Sequence, residues 1–510
     1  MELGTLDLVT FVAFVAIVVI VSLWASRSEG SAEGYFLAGR GLSWSFIGLS
    51  LIASNISTEQ FVGMAGAGFG EMGLAVAAYE WIAAVTLVFV ALVLLPRFLR
   101  SGIYTIPEYL ALRYDERARL VMSLFMLVMY AFVALASILY SGALGLRAIF
   151  GLDLTLGVWM LGVLAAVYTV YGGLKAVVWS DLIQGIALLV GGALVAWLAL
   201  DAVGGLDAFI ARSGDKLHLV LPADHPEMPW TALLLGIWIP NLFYWGLNQF
   251  ITQRTLGARS LAQGQRGVIL AAAIKLFIPF IVVFPGIVAY QLYAAEISSP
   301  DQAYPVLVTH LLPAGLRGFM LAALFGAIMS SLDSLLNSAS TIFTMDVYRR
   351  HWGSQATTAK LVSVGRWATG GLVVFGCLVA PHLDDPRLGG IFKYIQMFQG
   401  FISPGIVVVF VFALVVPRAP ASAALVGLLG NIPVYGLLLW LLPEVAFLNH
   451  MAFTAVALAV AMLLVTWWRP GPVRAPTEAE PAVGMESSRG SAIGGALVVA
   501  AVVALYALLW

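Results

Sequence analysis

Long apolar runs, cut at intervals by short polar stretches, dominate the chain. The segments LDLVTFVAFVAIVVIVSLWA (6 to 25) and SAIGGALVVAAVVALYALLW (491 to 510) carry few or no charges. Each has the roughly twenty residues an α-helix needs to cross a hydrocarbon core about 30 Å thick. Read against the polar punctuation, such runs predict helices near 6 to 25, 41 to 65, 72 to 98, 120 to 147, 154 to 171, 177 to 200 and 230 to 250. A second set follows near 264 to 292, 315 to 346, 361 to 380, 390 to 416, 420 to 442, 447 to 468 and 491 to 509. This is the pattern of an all-α integral membrane protein of about fourteen transmembrane helices, set in a lipid bilayer, with short loops and no inserted soluble domain.

Composition agrees: 61% of residues are hydrophobic and 10% charged, more apolar surface than a soluble core absorbs. The net charge of −1 excludes a strongly basic nucleic-acid binder, and the single Cys377 cannot form an internal disulfide. Glu2 and Asp7, rather than Lys or Arg, lead the first apolar run, so it reads as a retained helix and not a signal peptide. Basic residues concentrate in alternate loops. Arg27, Arg40, Arg97, Arg100, Arg113, Arg117, Arg119 and Arg254 lie in one set, with most of the others, whereas the opposite set holds only Arg147, Arg212, Lys216, Arg317 and Arg387. Since Lys and Arg near helix ends stay cytoplasmic, both termini are expected outside a cell (inner) membrane.

Two apolar helices are interrupted by polar residues: GLSLIASNISTEQFVGM (48 to 64), and LGIWIPNLFYWGLNQF (235 to 250), where Pro240 and Asn241 disturb the pattern. Freed backbone groups inside a membrane must face protein or water. Paired breaks at matching places in two halves point to an inverted-repeat transporter with its ion and substrate sites at the breaks, ahead of a channel or passive sensor. Intramembrane charge is costly, and Glu80 and Lys275 are opposite charges in apolar surroundings. They either pair structurally or bind substrate hydroxyls. Asp181 and Asp333 are further acids that serve a cation, cap a helix or face a vestibule. In GAIMSSLDS, Ser330 and Ser331 follow Ala327 by three and four residues, placing a carbonyl and two hydroxyls on one face, an oxygen set suited to a hard cation or to close helix packing.

At these residues the chain resembles the sodium/solute symporter family and, within it, the sodium/sugar branch. The likeness runs through FLAGRGLSW (36 to 44), ASNISTEQFVGMAG, AYEW, GIYTIPEYL, YGGLKAVVWSDLIQ, NLFYWGLNQFITQRTL, SSLDSLLNSASTIFTMDVY and YIQMFQGFISPGI (394 to 406). It implies a LeuT-type core of five plus five inverted-repeat helices over 41–416, with a leading helix (6–25), trailing helices (417–468), a flexible linker (469–490) and a last helix (491–510), all in one transmembrane domain. It implies alternating access, sodium as coupling ion and a sugar as partner. The carbonyls of Ala53, Ile56 and Ala327 and the hydroxyls of Ser330 and Ser331 look like sodium ligands, and Asp181 resembles an acid on the inner sodium route. Asn55, Gln60, Glu80, Asn241, Lys275 and Gln396 match sugar-binding positions. Tyr244 resembles the inner closing aromatic, and Met64, Tyr79 and Phe392 the outer gate. Ala83 stands in place of a sugar-facing serine, Met397 in place of an acid, and Lys393 adds a charge, which leaves the particular sugar open. The alternatives are a sodium-coupled transporter of myo-inositol, sialic acid or another polar solute, or a non-accumulating sugar sensor or channel. No nucleophile and base pair, and no phosphate-binding GxxxxGK[ST], argues for enzymatic or ATP-driven action.

Overall fold

Apolar residues clothe most sides of these helices, so the polar positions each one hides decide which lie inside. The computed structural model describes residues 4–25, 31–57, 59–383, 391–473, 481 and 483–509. Within helices, the side chains of Leu23, Ala25, Glu59, 148–150, Tyr168, Tyr171, Gly172 and 391–394 also lie outside that description. Among the described residues the architecture is helical, with isolated bridges and no strand. Among the described residues ten helices are long and apolar enough to cross a membrane, and three shorter apolar ones, Leu154–Val167, Ala232–Leu247 and Ser403–Val415, accompany them. The span Leu316–His351 is the innermost: 83% of its apolar window is buried, against 17% for the first helix. It hides Ser330, Ser331, Asp333, Ser334 and Asn337.

The helix Leu154–Ala202 crosses both Leu316–Ile342 and Trp44–Asn55. It kinks at Gly173 (φ 54°, ψ −158°), a backbone state that a Cβ disfavours, and any side chain there would run into the Tyr35 carbonyl. The gap expected between 171 and 177 is this kink. The leading helix Thr5–Ala25 is fastened by Asp7, whose carboxylate accepts the amides of Gly315 (2.7 Å) and Gly318 (3.0 Å) at the start of Leu316–Ile342. At the other end of the chain, Gly484 accepts from Leu261 N (2.9 Å), and the Ser488 amide donates to Gln265 (2.8 Å).

Among the described residues three helices are broken by extended or turn backbone. Trp44–Asn55 ends where Ile56 turns extended (φ −76°, ψ 92°), and a wide turn, Glu59–Met64, leads into Ala65–Phe69. The second break is displaced from the expected place. Pro240 and Asn241 lie within helical backbone, Trp238–Leu242, and the break falls at Asn248, which is extended and caps Gln249–Leu256 by accepting from Phe250 N (3.1 Å). The wide turn Ala232–Gly236, closed by Ile237 N onto Ala232 O, accommodates the donor that proline lacks, so the helix survives it. The third break, at 400–402, separates Ile391–Gln399 from Ser403–Val415 where the sequence reads one helix; Pro404, in the first turn, favours a fresh helix start there. The run 264 to 292 also bends. Pro279 crowds the carbonyl four residues back, so Leu261–Lys275 gives way to Ile278–Tyr293, and the Trp81 indole caps the freed Leu276 carbonyl (3.2 Å).

Arg40, Arg113, Arg119 and Arg254, assigned to loops by the sequence pattern, are buried instead. Each is compensated: Arg40 by Glu33 (2.8 Å), Arg113 by the Val416 carbonyl (2.7 Å), Arg119 by Asp346 (2.5 Å) and Arg254 by the Asp181 network.

Candidate functional site

The break at Ile56 opens the last turn of Trp44–Asn55, whose final carbonyls lose their intrahelical donors, and the bend at Lys275 delivers an ammonium beside it. Around them lies a cavity of about 150 Å³. Its walls include Asn55, Gln60, Met64, Tyr79, Glu80, Asn241, Tyr244, Ser331 and Gln396, so residues more than 300 positions apart in sequence meet there. Lys275 sits behind the wall. Fully buried, it pairs with Glu80 Oε2 (2.5 Å), donates to Asn55 Oδ1, and lies 4.8 Å from the centre of the Trp245 ring.

Gln60 Nε2 ties the group together, donating to Asn55 Oδ1 (3.2 Å) and Glu80 Oε1 (3.0 Å), while Asn55 Nδ2 donates to the Tyr244 hydroxyl (3.3 Å). Such a pair survives burial only because further hydrogen bonds satisfy both charges. Two amide oxygens at the wall, Gln60 Oε1 and Gln396 Oε1, have no hydrogen-bond partner among the described residues. Buried acceptors rarely stay unpaired, so both are available to a hydroxyl-bearing guest. Asn241 lines the cavity with its Nδ2 donating to Ile237 O (3.0 Å). The side chains of Phe392 and Lys393 lie outside the described residues.

The candidate ion residues flank the same break. Ala53 is buried at the end of Trp44–Asn55, and Ala327, Ser330 and Ser331 are buried on Leu316–Ile342, which packs against it. Ser331 donates to the Ser54 carbonyl across the gap (3.5 Å), and Ser330 to Asp181 Oδ1 (2.5 Å). Asp181 Oδ2 also accepts from Ser50 (2.5 Å) and Ser54 (3.1 Å). Beyond it stands Arg254, 3.7 Å from Asp181 and bonded to Ser50 (2.8 Å) and Ser334 (2.8 Å). Asp333 lies outside this group and accepts from Thr169 (2.8 Å).

At the Phe69 end of the broken helix, Lys216 donates to the carbonyls of Phe69 (2.9 Å) and Gly70 (2.6 Å) and lies 4.0 Å from the Tyr290 ring centre. Burial pulls this ammonium below the usual lysine range, and Glu71 partly restores it.

The model of the sodium:solute symporter family matches residues 35–430. The chain belongs to that family. A sodium/glucose cotransporter of Vibrio parahaemolyticus is 41% identical over 484 residues, 89% of this chain and 88% of the relative. The uncharacterized symporter YidK of Escherichia coli K12 is 36% identical over 487 residues, covering 92% and 85%. These relatives are transporters, and the family member described here is a multi-pass membrane transporter and not an enzyme. Among solved structures, a Na+-coupled sialic acid symporter in a substrate-bound, outward-open state superposes with a TM-score of 0.83 at 22% identity, covering 92% of this chain and all of that one. The all-α, LeuT-type fold that the family resemblance implied is therefore the fold of this chain.

Sequence reasoning passed over Arg254, Ser54, Ser334, Trp245 and Asn248. For Arg254 the sequence shows only a charge six residues past Asn248, which reads as an interfacial anchor; the serines carry no signal, since hydroxyls are ordinary within membrane helices.

Proposed function

We propose that this protein is a secondary active symporter that couples inward sodium movement to uptake of a sugar such as galactose or glucose by alternating access. The observation that carries the substrate reading is the hydroxyl-matching cavity: a carboxylate, an ammonium and four amides converge on the first break, with Gln60 Oε1 and Gln396 Oε1 unpaired among the described residues. The family and its sodium/glucose relative support the same conclusion. In this reading Asn55, Gln60, Glu80, Asn241 and Gln396 bind the sugar from the wall, and Lys275, expected at the same site, acts from behind it through Glu80 and Asn55. Tyr244 closes one side, and Met64, Tyr79 and Phe392 the other.

Sodium is held by the carbonyls of Ala53, Ile56 and Ala327 and the hydroxyls of Ser330 and Ser331, an all-oxygen set suited to a hard cation. The opened carbonyls of the helix end and the bond from Ser331 to the Ser54 carbonyl support this placement. Asp181, one hydrogen bond from Ser330, lies on the ion's inward route. Sodium binds first, fixing the broken helix, and the sugar then binds more tightly, a reciprocal coupling. With both termini outside the cell membrane, one inward charge across 100 mV releases about 2.3 kcal/mol, enough for a roughly fiftyfold sugar gradient at one ion per sugar. The leading helix, the 41–416 core, the trailing helices, the linker and the last helix divide a single transmembrane domain.

The test is uptake of labelled hexoses into vesicles reconstituted with the protein. An inward sodium gradient should drive accumulation above equilibrium, and replacing sodium by potassium should abolish it. Equilibration without accumulation would overturn coupling and favour a passive sensor or channel.

A further inference from the structure

The helix that brings Gln396 and Gln399 to the cavity wall is cut at 400–402, and a side chain from outside the cavity spans the cut. Asn431, fully buried in Ala421–Leu441, accepts from Gly405 N at Oδ1 (2.8 Å) and donates from Nδ2 to Gly400 O (3.1 Å). One rigid, planar amide therefore closes both on Gly400, the residue just past the first half, and on the first turn of the second. The approach is close. A Cβ on Gly405 would lie 2.9 Å from Asn431 Cβ, and one on Gly400 would run into the ring of Tyr435, one turn along the same helix. The backbone links through the cut are short turn bonds, from the Gly400, Phe401 and Ile402 amides to carbonyls three residues back and from Ile406 N to Ile402 O. The direct tie from Gln399 Nε2 to Pro240 O is long, at 3.5 Å. The Asn431 amide is thus the firmest link fixing the angle at which Ile391–Gln399 leaves the cut.

We propose that Asn431 is a positioning residue for the sugar site: it sets the aim of Gln396 from a helix that does not line the cavity. The proposal rests on the reading of the cavity as the sugar site. A buried amide left without its clamp lets the short helix swing, and displacements of an ångström at a binding group are costly. Asn431→Leu removes both bonds at similar volume. In proteoliposomes it should raise the half-saturating hexose concentration about tenfold while half-saturating sodium stays within about twofold.

The decisive measurement repeats this in a Gln396→Ala background, where Asn431→Leu should add less than about twofold, because the group it aims is gone. An equal tenfold loss in both backgrounds, a matching rise in half-saturating sodium, or unchanged sugar dependence would overturn the proposal. If the leucine variant yields no folded protein, Asn431→Asp decides on the same measurements: it keeps the acceptor for Gly405 and sets oxygen against oxygen at Gly400. Absence of sodium-driven uptake by the unsubstituted protein removes the sugar-site reading and this proposal with it, whereas normal uptake with an indifferent Asn431 removes the proposal alone.

Discussion

Consider Lys275→Met. The ammonium is fully buried and holds Glu80 at 2.5 Å, while Glu80 itself is 2% exposed. Methionine fills much of the same volume against Trp245 but leaves the carboxylate with a single neutral donor, Gln60 Nε2, at 3.0 Å. Breaking a buried pair from one side costs about 3–5 kcal/mol, because the remaining charge is stranded in low dielectric. That is more than about a hundredfold in the folding equilibrium. Adding Glu80→Gln removes the stranded charge and keeps an acceptor for Gln60, so the double variant should recover most of the lost stability. Transport should not return, since the cavity wall loses its carboxylate. The assay is denaturant unfolding in detergent micelles, followed by intrinsic tryptophan fluorescence, for both singles and the double, with hexose uptake measured alongside. A single variant as stable as the parent, or a double no more stable than Lys275→Met, would refute the argument that Glu80 and Lys275 neutralise one another.

Ser331→Ala should raise the sodium concentration for half-maximal uptake by about fivefold or more, the loss of one oxygen contact; an unchanged sodium curve removes Ser331 from the ion site. Gln396→Ala should weaken hexose dependence about five- to tenfold with sodium dependence retained, and normal sugar affinity excludes it from the wall. Gly286→Ala places a methyl against the backbone carbonyl of Ala65, which cannot rotate aside, so Ile278–Tyr293 and Ala65–Phe69 must separate at a cost of about 1–3 kcal/mol. An unfolding midpoint equal to the parent's would contradict that close approach.

What the sequence reveals depends on whether a signal is local. The first break is legible because ASNISTEQ interrupts an apolar run with groups that compete for the backbone. The second is visible but misplaced: Pro240 draws attention as a breaker, yet a wide turn absorbs it, and the chain opens at Asn248, whose side chain caps the next helix. The third was hidden, since Gly400 and Pro404 sit in a run that reads as one helix from 390 to 416 and the amide that spans the gap lies 26 residues beyond Gly405. Arg254 shows the same limit. Charge at the end of an apolar run reads as an interfacial anchor, and only its distance to Asp181, on another helix, reveals a buried partner.

Asp7 has a mechanical consequence. Its carboxylate grips the amides of Gly315 and Gly318 with Arg317 alongside (3.5 Å), so the helix bearing Ser330 and Ser331 is pinned at its first turn to a segment whose apolar side chains are mostly unburied. Sliding along its own axis would tear all three contacts at once, whereas rocking about that end disturbs none. A rearrangement that opened the proposed ion site to the opposite side while keeping these contacts would pivot this helix about its Asp7 end, and at the far tip it would have to release the buried Arg119–Asp346 pair.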